Sequence, residues 1–292
     1  MFYLRSFFLA AIMLIVTSTG SLHAGESGPR AYVNAPVDIN LLQLYYANIE
    51  TKGSLSLNSD LGALRYVRYF DLFGNIAAVG GVLSYADARL TVPTLGLNQS
   101  VSGMGDPVFV LGIDFYGAPA MGMDEYLKWK QETILGFSIQ VSAPIGQYDQ
   151  ARILNLGTNR WTFKPELAVS HQIAESGVFI ESYLNYHLFT KNREYLGNLI
   201  RDQNGKWGVD GHLVYEFMRG AFASFDYFYS WGGETKVNGI LQGDIVRDTT
   251  IGATVKMPVS QSMAVELKYR HDIKTRSGNK TTVMQGMLQY FW

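Results

Sequence analysis

The dominant regularity of this chain is a period of two. "WGVDGHLVYEF" puts Trp207, Val209, Gly211, Leu213, Tyr215 and Phe217 on one face, with Gly208, Asp210, His212, Val214 and Glu216 between them. "AFASFDYFYSW" sets Phe225, Tyr227, Tyr229 and Trp231 against Ser224, Asp226 and Ser230. "VFIESYLNYHLF", from Val178, alternates Ile180, Leu184, Tyr186 and Leu188 with Glu181, Asn185 and His187. "MAVELKYR", from Met263, alternates Val265, Leu267 and Tyr269 with Glu266, Lys268 and Arg270. Successive side chains of a strand point to opposite faces, so each segment predicts a strand with one apolar and one polar face. Helical spacing fits none of the four.

About twelve such segments run along the chain, beginning near residues 38, 61, 75, 106, 131, 160, 177, 206, 221, 245, 263 and 282. Their connections fall into two classes. Those at 71–74, 172–177, 218–220 and 258–262 are short, whereas those at 51–60, 86–105, 144–159, 190–205, 232–244 and 271–281 are longer and polar. Long and short alternate, except that "GAPAMGMDEYLKWK" at 117–130 stands where a short turn belongs and has room for one helical turn. Such sorting predicts an all-β fold, a transmembrane antiparallel up-and-down β-barrel of about 12 strands and outer-membrane type. A soluble sandwich has no reason to sort its connections this way. The first strands are less regular. "ALRYVRYF" carries Arg65 on one face and Arg68 on the other, so pattern alone does not set the register of residues 38–85. Either arginine could reach the headgroups from near a strand end.

The chain ends "QGMLQYFW", with Trp292, Tyr290 and Leu288 on one face. Free ends of soluble domains are usually solvated, which suits aromatic rings poorly; at a membrane interface those rings are at home. The ending resembles the C-terminal sorting signature of bacterial outer-membrane proteins, a terminal aromatic with apolar residues at alternate upstream positions. That resemblance implies the barrel-assembly machinery as a partner during biogenesis, with outer-membrane lipid as the lasting one.

At the other end, Arg5 precedes the apolar run "FFLAAIMLIV", and the small and polar "TSTGSLHA" follows. The run is too short to span a bilayer and has the form of a signal-peptide core, with Ala24 at the cleavage position. The expected organisation is therefore a signal peptide at 1–24, a periplasmic N-terminal segment at 25–37 and the barrel at 38–292. Both mature termini are expected to be periplasmic, with the loops at 86–105 and 144–159 extracellular. The 18 Tyr, 16 Phe, 5 Trp and 30 Gly suit a barrel with aromatic girdles. A mean hydropathy of +0.02 hides it, because lumen-facing polar residues cancel lipid-facing apolar ones. The chain has no cysteine, which excludes disulfides and thiolate chemistry. Its 24 basic and 25 acidic residues give a net charge of −1 and no argument for nucleic acid.

Candidate functional residues are those expected to line the lumen: Asp114, Glu132, Lys164, Glu166 and Glu181 on earlier strands, and His187, Asp210, His212, Glu216 and Asp226 on the middle ones. Glu266, Lys268 and Arg270 complete the set. A histidine beside carboxylates can act as a general base or hold part of a metal site. Interior barrel positions, however, must be polar or filled, and mixed-sign clusters there serve as ion-pair plugs or pore lining. Ser224 and Ser230 are expected to face inward beside Asp226, but nothing in their spacing makes them more than ordinary strand polar residues. HExxH and phosphate-cradling glycine loops are absent. No catalytic residue, metal or cofactor is expected.

Three stretches carry a family likeness: "GMGDP" at Gly103 to Pro107, "APIGQYD" at Ala143 to Asp149 and "NLGTNRWTFKPEL" at Asn155 to Leu167. With the barrel pattern and the ending, they resemble the outer-membrane transporter-like family of the phenol meta-degradation pathway, over nearly the whole mature chain. The resemblance implies an outer-membrane barrel, often associated with uptake of aromatic or other hydrophobic compounds. The same residues have a physical reading. Gly146 permits a sharp turn and Pro144 suits a strand end. Asp149, Asn155 and Asn159 can bond loop backbone, and Arg160 can pair with Asp106 or Asp149, which makes a structural clamp. The rival reading makes this loop a gate, with Tyr148 and Trp161 supplying aromatic surface. Two functions stay open: a passive channel for small hydrophobic or aromatic compounds, or a plugged structural or interaction barrel acting through its extracellular loops. Twelve strands lie between a filled eight-stranded interior and an open sixteen-stranded pore, so size does not decide between them.

Overall fold

The computed structural model describes residues 27–174 and 176–292; the expected signal peptide lies outside them. The wall begins with three long strands, β1 (Asn40–Lys52), β2 (Ser56–Leu72) and β3 (Asn75–Val92). The fourth stave is broken into β4 (Leu97–Met104) and β5 (Val108–Tyr116), which pair with opposite halves of β3. β6 (Thr133–Ser142), β7 (Thr162–Ile173) and β8 (Val178–Phe189) continue the wall. Two short strands, β9 (Asn192–Tyr195) and β10 (Leu199–Gln203), stand outside it before β11 (Lys206–Met218) and β12 (Ala221–Gly232) resume. After another short pair, β13 (Thr235–Val237) and β14 (Ile240–Leu241), the wall ends with β15 (Val246–Pro258), β16 (Met263–Lys274) and β17 (Lys280–Phe291).

β17 returns to β1 in an unbroken antiparallel register from Leu41↔Phe291 to Lys52↔Lys280, which closes a barrel of 12 staves. At the foot of this seam Asn40 N donates to Trp292 O at 2.9 Å and Trp292 N to Asn40 O at 3.1 Å. The last residue of the chain is thus a rung of the wall. Among the described residues no helix is long and apolar enough to cross a membrane; the strands do so instead.

The outward face carries Leu213, Phe225, Leu267 and Leu288, all exposed, while Asp210, Asp226, Glu266 and Gln289 on the same strands are buried inside. Aromatic rings collect at two levels. At the end bearing Asn40 and Trp292, the terminal end, Trp292 stacks on Tyr290 (5.4 Å between centroids) and approaches Tyr66 (6.2 Å). At the opposite, loop end Trp207 lies 4.4 Å from Tyr186 and 6.1 Å from Trp231. These are the two interfacial girdles of a transmembrane barrel. The first strands have a definite register here. Arg65 faces inward, and Arg68 sits at the terminal end, where its Nη2 donates to Asp38 at 2.7 Å.

The long connections are shorter than the pattern predicts, because the strands outrun the membrane. Residues 86–92 continue β3 and 97–104 return as β4, while residues 53–55 and 275–279 are all that remain of two other expected loops. The reason is an inversion of polarity. Up to Tyr85 the outward residues Val79, Leu83 and Tyr85 are apolar, but beyond it Asp87 and Arg89 face out while Ala86, Ala88 and Leu90 are buried inside. A search for apolar-outward strands stops at that point. The other two expected loops, 190–205 and 232–244, pair with each other in a four-stranded sheet ordered β14-β13-β10-β9. The stretch 117–130 does hold a helical turn, α1 (Met123–Tyr126).

This register makes a direct expectation. Leu213→Lys should lower the folding free energy in lipid vesicles by about 2–4 kcal/mol, as a cation near the midplane of the lipid face does. Asp210→Asn should lower it less, because the lumen accepts a neutral polar group. Equal losses in the two variants would contradict the assignment of faces.

Candidate functional site

Inside the wall, residues 27–39 run through the lumen before β1 begins. Arg30 anchors them: its backbone N donates to Glu181 Oε2 at 2.7 Å, Nη1 lies 3.3 Å from Glu181 Oε1, and Nη2 lies 3.3 Å from Glu216 Oε2. Its guanidinium also covers the Phe179 ring at 3.8 Å. Two residues on, Tyr32 Oη donates to Glu166 Oε1 at 2.9 Å, shares a 2.7 Å hydrogen bond with Ser138 Oγ, and packs its ring 5.1 Å from Tyr183. Ser27 also bonds Glu166. Asn34 Nδ2 donates to Pro119 O at 3.0 Å. Breaking a buried ion pair by removing one partner typically costs about 3–5 kcal/mol, so the segment is held and not merely parked.

Several inward carboxylates also have partners on the wall. Lys164 Nζ lies 2.9 Å from Glu166 Oε2, while Ser170 Oγ and Tyr183 Oη donate to Glu181 at 2.7 and 2.8 Å. On the other side Lys268 Nζ lies 2.7 Å from Glu266 Oε1. Asp114 is buried on β5, and Asp210 receives Asn185 Nδ2 at 3.4 Å. His187 lines the cavity at the loop end. Glu132 stands apart from this group, exposed on the connection ahead of β6.

His212 and Asp226 are brought together, with Nδ1 and Oδ1 2.7 Å apart. The same carboxylate accepts Ser224 Oγ at 2.9 Å and Thr254 Oγ1 at 2.8 Å. Ser224 thus bonds the aspartate and not the imidazole, and the outer face of His212 is closed by Tyr183 and Phe228 at 5.0 and 5.6 Å. A nucleophile would have to meet the free ring nitrogen, and none does. Among the described residues no three potential ligands gather as a metal would require.

The connection between β6 and β7 folds into the barrel mouth, and one carboxylate holds it. Asp106 stands in the break between β4 and β5; its Oδ1 accepts Gly146 N at 2.9 Å, and its Oδ2 accepts Thr158 N and Oγ1 at 2.8 and 2.7 Å. A Cβ on Gly146 would come within 2.6 Å of the Asp106 nitrogen, so close packing requires that glycine. Leu154 and Leu156 of the connection then enter an apolar cluster with Leu57, Leu90, Val92 and Val101.

The expected pairing of Arg160 with Asp106 or Asp149 is not what forms. Three donors from the loop already satisfy Asp106, and Asp149 pairs with Arg152 at 3.3 Å while Asn155 Oδ1 accepts its backbone N at 2.7 Å. Arg160 turns instead to Gln203 Oε1 at 2.5 Å and lies 4.4 Å over Phe189. Burial, with Arg201 nearby, pushes its guanidinium down to about 9, still charged at neutral pH. Asn159, at φ 52°, donates to Asn192 and Glu194, and Tyr148 Oη donates to the Glu194 carbonyl at 2.9 Å. Trp161 is exposed at the outer rim, stacked 6.3 Å from Phe163.

Among the described residues, two cavities bear on function. The larger, about 930 Å³, reaches the terminal-end turns at Gly220 and Gln261 and runs between the inner segment and the wall of β1, β2, β16 and β17. The smaller, about 230 Å³, lies towards the loop end. Lys268, Arg270, Val283 and Gln285 line both, so the two meet along β16 and β17. Sequence reasoning did not single out Arg30, Tyr32 or Lys256 here, and it allowed Arg65 to reach the headgroups, whereas Arg65 lines the cavity. Lys256 shares a face with Gly252 and Thr254 and was findable by alternation; nothing in "SGPRAYVNAP" signals an inward course.

The family model described as "Putative MetA-pathway of phenol degradation" matches residues 34–287. The chain belongs to this family. Its fold is similar to that of the COG4313 outer membrane channel from Pseudomonas putida F1, with a TM-score of 0.80 and 19% identity over 91% of this chain and 100% of that one. It is also similar, less closely, to the translocator domain of the autotransporter NalP from Neisseria meningitidis, with a TM-score of 0.53 and 7% identity over 97% and 95% of the two chains. The β-domain of the Bordetella autotransporter BrkA gives 0.51 and 12% over 86% and 98%. No curated protein matches the sequence.

The staple at Asp106 can be probed cleanly because the chain lacks cysteine. A Leu154→Cys reporter should react slowly with a polar maleimide. Adding Asp106→Ala, which strands three donors at about 1–3 kcal/mol each, should speed labelling severalfold. An unchanged labelling rate would mean that Asp106 does not hold the loop.

Proposed function

We propose that this family member is an outer-membrane channel through which small hydrophobic or aromatic compounds pass by diffusion, with both termini on the periplasmic side. The observation that carries the reading is the cavity of about 930 Å³, which extends from the terminal-end turns and meets the second cavity along β16 and β17. Membership of a family named for phenol degradation supports aromatic compounds as the cargo. The apolar surface of Leu41, Ala47, Ile49 and Leu61 in the cavity wall gives such compounds a place to rest. No catalytic step belongs to this reading; the His212–Asp226 contact serves packing. Outer-membrane lipid and the barrel-assembly machinery are the other partners it requires.

One observation favours the second reading, a plugged barrel that works through its loops: the ion-paired segment 27–39 fills part of the lumen, and the stapled loop covers the mouth. Uptake separates the two. Intact cells producing the protein should take up radiolabelled phenol faster than cells with an empty vector, and equal rates would favour the plugged barrel.

Orientation has its own measurement. An affinity tag inserted at Gly96, in the β3–β4 turn, should be labelled on intact cells. Labelling only after the outer membrane is permeabilised would reverse the topology.

A further inference from the structure

The near-neutral composition hides a division of charge across the lumen. On the side of β7 and β8 the inward carboxylates Glu166 and Glu181 are covered by the inner segment, through Ser27, Arg30 and Tyr32. The segment therefore lies on the acidic wall. Across the cavity stands the wall of β15, β16, β17, β1 and β2, where Lys256, Lys268, Arg270 and Arg65 face the cavity and the segment comes close at Lys268, through Gly28. In all, seven cationic side chains line that cavity against two carboxylates, Glu216 and Glu266. Each of these two already has a cation within 3.3 Å, Arg30 for Glu216 and Lys268 for Glu266. The second cavity shares Lys268 and Arg270 with the first and is nearly balanced, with Asp210, Asp244, Asp248 and Asp272 among its five lysines and arginines, so the excess belongs to the stretch lined by Arg65 and Lys256.

The cationic wall stands beside an apolar one at the same height. The register runs Lys268↔Gln285, Gln285↔Ala47 and Ala47↔Leu61, and one level further Arg270↔Val283, Val283↔Ile49. Neighbouring strands are about 4.8 Å apart, so a cation on β16 and an apolar side chain on β1 are separated by roughly 10 Å of wall, within the span of a lysine side chain and a ring-sized solute. Ala47, Ile49 and Leu61 belong to the apolar cluster that the loop residues Leu154 and Leu156 complete. The cavity thus offers positive charge at its side and hydrocarbon at its upper end. A neutral hydrocarbon would use only the second. Low-dielectric walls of one sign focus their field on the space between them and raise the local concentration of counter-ions.

We propose that this half of the lumen is a binding site for small organic anions that carry an aromatic ring, with aromatic carboxylates as the fitting class. The proposal deepens the channel reading and rests on it for the passage of what is bound, but binding can be measured separately.

The test is calorimetric titration of the full mature chain, folded in detergent as judged by heat-modifiable migration, with three probes. Benzoate carries ring and charge, benzyl alcohol the ring alone, and acetate the charge alone. Benzoate should bind more tightly than either of the others. Lys256→Gln combined with Arg270→Gln should weaken benzoate by about tenfold, the size of one lost charge-assisted hydrogen bond, and leave benzyl alcohol unchanged. Arg65→Gln, at the same cavity, provides a second variant if the double variant does not fold. Benzoate binding that is absent, no tighter than acetate, or equal in wild type and variants would overturn the proposal. If benzoate fails while cells still take up phenol, only the anion site falls; if benzoate binds and phenol uptake equals the vector control, the channel reading falls and the site stands.

Discussion

A peptide group in hydrocarbon has no water to bond, and each one left unsatisfied costs several kcal/mol. The rest of this structure depends on that constraint. It forces the wall to close, and closure is achieved by pairing the first strand with the last along twelve consecutive positions, Leu41↔Phe291 to Lys52↔Lys280. Once the seam is fixed, so is the face that every side chain occupies, because a slip of one residue would exchange lipid-facing and lumen-facing sets together. Polar groups sent inward then need partners within a narrow space. The Lys164–Glu166 and Lys268–Glu266 pairs, and the three donors around Asp226, are the local answers.

The side chains of these 12 staves do not fill the barrel, since a cavity of about 930 Å³ remains beside the inner segment. The chain occupies the lumen unevenly. Its N-terminal segment covers the half of the lumen where carboxylates are concentrated, across the cavity from the half where cations and aliphatic side chains stand side by side. At the loop end, an interrupted stave provides an anchor for the β6–β7 connection: the break between β4 and β5 is where Asp106 stands, and it frees that carboxylate to bond across to Gly146 and Thr158.

Much of the architecture was legible because the membrane imposes a simple rule on strands it touches. Leu213, Phe225 and Tyr227 must be apolar, so their alternation with Asp210, His212 and Asp226 is written plainly. The rule fails where the strands leave lipid. Asp87 and Arg89 look like loop residues to a reader expecting apolar outward positions, although their neighbours Ala88 and Leu90 are buried, Leu90 completely. The inner segment was not legible for a different reason. Residues 27–39 have no periodicity, and their place follows from complementarity with Glu166 and Glu181, more than a hundred residues away. Likewise, the residue types in the motif of Asp106 and Arg160 suggested a clamp, but not that backbone amides would occupy the carboxylate first.

The inversion of polarity at Tyr85 divides the molecule mechanically. Below it, the outer surface obeys the thickness and composition of the bilayer. Above it, the rim is a small water-soluble β-structure with a conventional dry interior, carried on a membrane-bound pedestal. A change in lipid thickness would tilt or strain the staves below, whereas at the level of Leu90 the outward positions of β3 are Asp87 and Arg89 and its apolar side chains point inward. The β6–β7 connection packs into that apolar cluster, so its stability answers to the rules of core packing rather than to those of hydrophobic mismatch.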